Sequence, residues 1–421
     1  MEKNFVESLH VKDIALFEEL DIVFNDKFSF IVGPNGCGKT SILRCMAIAL
    51  SPQKAMELRH KKNSEVWMDC VFNETPIRIG LGPGWVKNGE DYRHAQHHRW
   101  VKPPAIEGRL SVTQSELIEK NINFTPLFLG AYRRIGYKEI KGMVKETTLH
   151  NKRVTYHKNC LSSIDGGYLP EVKQWMINRY FEMDKPWAKI LKVNWDWLLE
   201  NLEYIGPKQS RFKFKEIKQD LEPIFECYEK ECYLEELSAG FQAILSLILG
   251  IVEWIETTNE EPKTIIMSAT GTVVIDELDV HLHPEWQLTI RDTLEKIFPG
   301  LQFIVTTHSP HLIANAKQGE LIILKEHNGI VKVKPSNKSF SGWNTDQILE
   351  EVMGVRNLEN KQYNALIRNA MQFVQDKNTD ELKKAVRELE KISHPSDTIV
   401  SVFKIKIAAL ELGEPVHDKN Q

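Results

Sequence analysis

Residues Gly33 to Thr40 read G-P-N-G-C-G-K-T; the apolar run Phe28-Ser29-Phe30-Ile31-Val32 precedes them, and Ser41-Ile42-Leu43-Arg44-Cys45-Met46-Ala47-Ile48-Ala49-Leu50 follows. A buried strand, a glycine-rich turn and a helix start, in that order, predict a phosphate-binding loop. The glycines let successive backbone N–H groups turn toward one point, and the positive end of the following helix adds to their field. Gly33, Pro34, Asn35, Gly36, Cys37, Gly38, Lys39, Thr40 and Ser41 are therefore read as a cradle for nucleotide phosphates. Lys39 is expected to reach the β- and γ-phosphates and Thr40 to ligate Mg2+.

Three further runs follow in order. Leu237-Ser238-Ala239-Gly240-Phe241-Gln242 precedes an apolar helix from Ala243 to Ile255. Thr272-Val273-Val274-Ile275 are four β-formers that end in Asp276-Glu277, and Phe303-Ile304-Val305-Thr306-Thr307 is a strand that ends in His308. A carboxylate such as Asp276, at the C-terminal end of a buried strand, suits a metal's water shell, and Glu277 beside it suits orientation or deprotonation of an attacking water. A neutral imidazole at His308 can donate one N–H to a phosphate while a second group holds its other nitrogen.

This motif set resembles the ABC-type ATPases, which are α/β P-loop NTPases carrying a helical lobe. The run D-E-L-D-V-H-L-H-P-E-W-Q from Asp276 to Gln287, with T-T-H-S-P from Thr306 to Pro310, resembles the bacterial ATPases grouped with the OLD, RecF-like and Septu families. The resemblance implies ATP and Mg2+ as cofactors, Glu277 and His308 as catalytic groups, and Thr40 and Asp276 on the metal. It also implies that Ser238, Gly240 and Gln242 contact the γ-phosphate held by another protomer, so that the site is completed only in a head-to-tail ATP-sandwich dimer. Asp279 and His281-Leu282-His283-Pro284 then belong to the loop that crosses the dimer interface. The tail carries no acidic constellation like that of the OLD nucleases, and no Q-loop glutamine is identified. The nearest resemblance is to the ATPase subunit of Septu anti-phage systems, whose partner is an HNH endonuclease. The expected function is an ATP-binding, ATP-hydrolysing regulatory subunit controlling that separate nuclease. The alternative is a RecF-like DNA-binding repair ATPase.

The expected domains are 1–160, an N-terminal ATPase lobe; 161–235, a helical lobe; 236–335, the signature, Walker B and histidine part of the core; and 336–421, a helical partner-docking region. Trp175, Trp187, Trp195 and Trp197 mark the lobe and read as packing anchors. Leu321-Ile322-Ile323-Leu324 and Ile330-Val331-Lys332-Val333 flank His327-Asn328-Gly329, a hairpin signal. The stretch between Ser41 and Leu237 lacks sustained heptads and is too short for long coiled-coil arms.

The formal charge of −4 leaves nucleic-acid binding to local clusters. Arg133, Arg134, Lys138, Lys141, Lys145, Lys152, Arg153 and Lys158 stand against Glu139 and Glu146, and Lys208, Arg211, Lys213, Lys215 and Lys218 form a second cluster. Both are read as candidate phosphate-backbone surfaces, with His94, His97 and His98 as a third possible contact. The six cysteines form no C-x-x-C pair, and the N-terminus is charged and polar. Both features lead to the expectation of a reduced, cytoplasmic chain without a membrane segment.

Overall fold

The computed structural model describes residues 4–52, 57–86, 100–120, 122–167, 171–258, 265–355, 361–394 and 397–412. The expected contacts at His94, His97 and His98 lie outside the described residues. The chain divides into two compact units, Met1–Gly354 and Val355–Gln421.

The first unit is α/β and contains three sheets. β1 (Phe5–Ile14), β2 (Phe17–Val23), β4 (His60–Phe72), β5 (Thr75–Leu81) and β6 (Leu110–Val112) form a largely antiparallel sheet in the order β2-β1-β4-β5-β6. β3 (Phe28–Val32), β7 (Leu127–Leu129), β11 (Gly271–Ile275), β12 (Leu301–Thr306), β13 (Leu321–His327) and β14 (Ile330–Ser336) form the central sheet in the order β14-β13-β3-β12-β11-β7. Only β14 runs antiparallel there; it returns from β13 through a turn in which Asn328 (φ 52°) and Gly329 (φ 81°) are both left-handed. β3, β11 and β12 are buried along their whole length, which is why they read as mostly apolar runs broken only by Ser29, Thr272, Gln302 and Thr306. The register sets Val305 opposite both Phe30 and Ile275, and Ile275 opposite Leu129. The C-terminal ends of four parallel strands are thereby brought to one edge, the position at which open α/β sheets bind ligands.

α1 (Lys39–Leu50) packs Ile42, Leu43, Met46 and Ala47 into the core shared with β1, β4 and β5. α6 (Ala239–Thr258) starts four residues earlier than the apolar run suggests and is long and apolar enough to cross a membrane. It is buried on nearly every side, its Leu245 and Trp254 sharing one core with Phe28, Val273 and Phe303, so it needs no polar face.

The lobe contains α3 (Leu149–Ile164), α4 (Val172–Glu182) and α5 (Lys189–Asn201). Trp175 and Trp195 are buried 6.0 Å apart and Trp197 Nε1 donates to the Ile297 carbonyl, whereas Trp187 stands exposed. The segment 161–235, expected as a helical lobe, also contains β8 (Lys213–Ile217), β9 (Pro223–Cys227) and β10 (Lys230–Tyr233), a three-stranded antiparallel sheet. At the lobe's centre Arg179 is fully buried between Glu256 of α6, at 2.5 Å, and Glu146 and Glu182, at 2.9 and 2.6 Å.

The second unit holds α10 (Lys361–Gln375), α11 (Thr379–Ile392) and α12 (Thr398–Leu412). These helices share a small core of Ala370, Leu382, Val386, Leu389 and Phe403.

Candidate active site

The phosphate loop leaves β3 at Gly33 and enters α1 at Lys39. Gly38 is left-handed at φ 93°, and a Cβ there would meet the Phe17 ring at 2.8 Å and Leu16 at 3.2 Å, so only glycine fits. Gly36 is left-handed too, at φ 78°, and faces open space. Lys39 is buried and donates from Nζ to the carbonyls of Gly33 at 2.9 Å and Pro34 at 3.0 Å. Burial pushes the ammonium below its usual range, while the Cys37 thiol and the carboxylates of Glu277, Asp276 and Asp279 pull the other way. Cys37 is a buried thiol raised by desolvation, which suits packing under the loop.

β11 ends at the acidic pair. Thr40 Oγ1 donates toward both oxygens of Asp276, at 3.1 and 3.0 Å, and Thr306 Oγ1 donates to Asp276 Oδ1 at 2.6 Å. The same Thr306 oxygen accepts from the Glu277 N–H at 2.8 Å. Glu277 is left-handed, with φ 48°, so the chain turns sharply and its side chain is only partly buried. A hydroxyl and a carboxylate facing each other beside an open glycine cradle are the oxygen donors Mg2+ takes, and Thr40 with Asp276 would hold it. Bound there, such an ion would supply positive charge to offset that of the nucleotide phosphates.

His308 follows β12 by two residues and is half-buried. Its backbone N–H donates to Asp279 Oδ1 at 3.1 Å, and Thr307 Oγ1 donates to the same oxygen at 2.5 Å. Asp279 thus ties the histidine turn to the loop after Glu277. Burial, then the Lys39 charge, push the imidazole below its usual range and favour the neutral donor form. The loop continues to His281, exposed and left-handed, and to His283, which caps α7 (Pro284–Ile297). His281 and His283 therefore shape the loop.

The signature meets this loop directly. A Cβ on Gly240 would lie 2.6 Å from the Trp286 ring and 2.9 Å from the His281 carbonyl, so glycine permits the close passage. Ser238 is exposed immediately before α6. Gln242, expected among the nucleotide contacts, is instead turned inward. Its Nε2 donates to the Glu235 and Leu237 carbonyls at 2.9 Å and its Oε1 accepts from the Ile135 N–H at 3.3 Å, so the amide braces the signature turn.

Thr306 has a place in the site that the sequence does not signal, and Arg133 has a different place from the one expected. Arg133 does not lie on a nucleic-acid surface: it is only 3% exposed and donates to three main-chain carbonyls. The apolar run before it is the available signal, because a cation four residues beyond a core strand lies under the site rather than outside it. Arg153 is also spent internally, on the Thr258 carbonyl, and Lys152 meets Glu146. In the second cluster Arg211 pairs with Glu229, Lys213 and Lys215 with Glu226, and Lys215 and Lys218 with Glu231. Pairing between strands neutralises what reads along the chain as a basic run.

Residues 138–313 match a family described as the AAA ATPase domain. The Septu protein PtuA of Bacillus thuringiensis is 25% identical over 412 residues, which cover 96% of this chain and 98% of that protein. The Septu protein PtuA of Bacillus mycoides is 24% identical, over 80% of this chain and 43% of that longer protein. The Retron Ec83 probable ATPase of Escherichia coli is 37% identical over 116 residues, 27% of this chain and 21% of its own length. Solved structures similar to it include the Smc head domain with an extended coiled coil from Pyrococcus furiosus, at TM-score 0.49 and 16% identity, covering 83% of this chain and 99% of that one.

Proposed function

The chain is an ABC-type AAA ATPase related to Septu PtuA, and from that premise we propose that it is the ATP-hydrolysing regulatory subunit of a bacterial anti-phage defence complex, controlling a separate HNH nuclease. The observation that carries this reading is the commitment of the acidic pair: Asp276 faces Thr40 of the phosphate loop, so Asp276 and Glu277 serve ATP and are not free for a phosphodiester.

Lys39 binds the β- and γ-phosphates, and the loop amides hold the remaining oxygens. Glu277 orients a water and takes its proton as the water oxygen bonds to the γ-phosphorus. The bond from the γ-phosphorus to the bridging oxygen then breaks and ADP leaves. Neutral His308 donates to the γ-phosphate oxygen on which charge accumulates. Ser238 and the Gly240 N–H, at the start of α6, serve the γ-phosphate of a second copy in a head-to-tail dimer. The unit Val355–Gln421 docks the nuclease, a role supported by an exposed apolar stripe of Val402, Ile405 and Leu412 on α12. Nucleic-acid contact is supported by exposed Tyr132 and Tyr137 among the exposed cations Arg134, Lys141 and Lys145.

Co-expression with an HNH protein encoded next to it, followed by a plasmid-nicking assay with and without ATP, tests the reading. Neither protein alone should nick, the complex should, and removing Val355–Gln421 should lose the partner while ATP binding persists. Metal-dependent cleavage by this chain alone, abolished by a point mutation within it, would refute the assignment.

A further inference from the structure

Arg133 lies four residues beyond the end of β7, beneath the corner where β11 turns into the catalytic loop. Among the described residues its hydrogen-bond partners are main-chain carbonyls. Nη1 donates to Gly130 and Asp276, both at 2.9 Å, and Nη2 donates to Glu277 at 2.6 Å. The corner needs such holding because Glu277 sits at φ 48°, a conformation that persists only where neighbours over-determine it. Thr306 fixes the Glu277 amide, Leu129 accepts from the Asp276 N–H at 2.8 Å and the Val280 N–H donates to the Glu277 carbonyl at 3.1 Å, but of these groups Arg133 alone bridges the Asp276 and Glu277 carbonyls.

We infer that Arg133 is a positioning residue for ATP hydrolysis, fixing the backbone from which Glu277 presents its carboxylate to the attacking water. The inference rests on the reading of Glu277 as the base. A planar fork suits this role, since two nitrogens of one rigid group reach carbonyls on both sides of a bend and a lysine ammonium cannot match that geometry. Burial pulls the guanidinium down to about 10, against the opposing pull of Asp279, Asp276 and Glu277, so it stays protonated at neutral pH. Its charge, together with that of Lys39, offsets repulsion among those three acids. Two residues on, the Ile135 N–H donates to Gln242, which braces the signature turn. One short segment therefore links the position of the base to the position of the signature.

The test is a kinetic double-mutant cycle on the full chain. Arg133→Lys keeps the cation and loses the fork; kcat should fall about 10- to 100-fold, the scale of a misplaced catalytic group, while the Kd for a fluorescent ATP analogue changes less than about threefold. In a Glu277→Gln background the same substitution should cost nothing further in kcat, because the group it positions is already gone. A merely structural residue would add its full loss in that background. Arg133→Gln, neutral but with two N–H donors, is read in the same cycle should the lysine variant fail to fold. Parental turnover in a folded variant, multiplicative losses in the cycle, equal loss of ATP binding, or collapse of both variants would each overturn the inference. Parental turnover by Glu277→Gln alone would instead sink the assignment of the base.

Discussion

Thr306→Val is nearly isosteric yet strips two hydrogen bonds from the centre of the site. Thr306 is buried; its hydroxyl donates to Asp276 at 2.6 Å and accepts from the Glu277 N–H at 2.8 Å. Losing a bond to a charged group costs about 1.5–3 kcal/mol, and stranding the Glu277 amide adds about 1–3 kcal/mol. A net loss of roughly 2.5–6 kcal/mol follows. Spread over the 354 residues of the first unit, at about 2.1 cal/mol/K per residue, that lowers its Tm by about 3–8 °C. Thr306→Ser keeps both bonds and loses one methyl, a cost of about 1 kcal/mol. Differential scanning calorimetry of the two variants isolates the hydroxyl. ATP turnover should fall in the valine variant and survive in the serine variant, because Asp276 and Glu277 both lose an anchor only in the former. Equal melting temperatures for the two, or full turnover by Thr306→Val, would refute the reasoning.

Glu256→Gln removes a carboxylate from the buried Arg179 and should destabilise the lobe by about 3 kcal/mol, seen as a lower Tm in the calorimeter; an unchanged Tm would show that Glu146 and Glu182 suffice. Burial holds the His157 imidazole down at about 4, with Nε2 donating to the Phe124 carbonyl. The unfolded chain binds that proton first, so stability is complete above about pH 6.5 and falls by roughly 3 kcal/mol toward pH 4. A His157→Gln variant should lose that part of the acid limb in urea titrations run across the range. Gly240→Ala pushes a methyl into Trp286 and the His281 carbonyl, so stability should fall by about 1–3 kcal/mol and turnover should drop with it; parental values for both would contradict the close passage.

The phosphate loop is legible in the sequence because its chemistry is local: the glycines, Lys39 and Thr40 fall within one eight-residue run, and four of the five residues in the strand before them are apolar. β11 and β12 are legible for the same reason, being buried on both faces. The strand content of 213–233 is not, since alternating Lys and Glu read as a charge run until pairing sets Lys213 against Glu226 and Lys215 against Glu231. Arg133 and Thr306 escape such a reading because their partners lie 143 and 30 residues away along the chain. Spacing carries no information about contacts that only the strand register creates. Gln242 misleads through its neighbours: Ser238 stands exposed beside it, but the helix turn directs the glutamine inward.

The central claim is that this chain binds ATP at the phosphate loop and hydrolyses it through Glu277. Single-turnover analysis of bound nucleotide addresses it directly. Parent, Lys39→Ala and Glu277→Gln proteins are mixed with radiolabelled ATP and Mg2+, separated from free nucleotide and quenched. The parent should carry ADP, Glu277→Gln should carry intact ATP with turnover reduced on the order of 10²- to 10⁴-fold, and Lys39→Ala should carry none. ADP formed by Glu277→Gln at the parental rate, or ATP retained by Lys39→Ala, would contradict it.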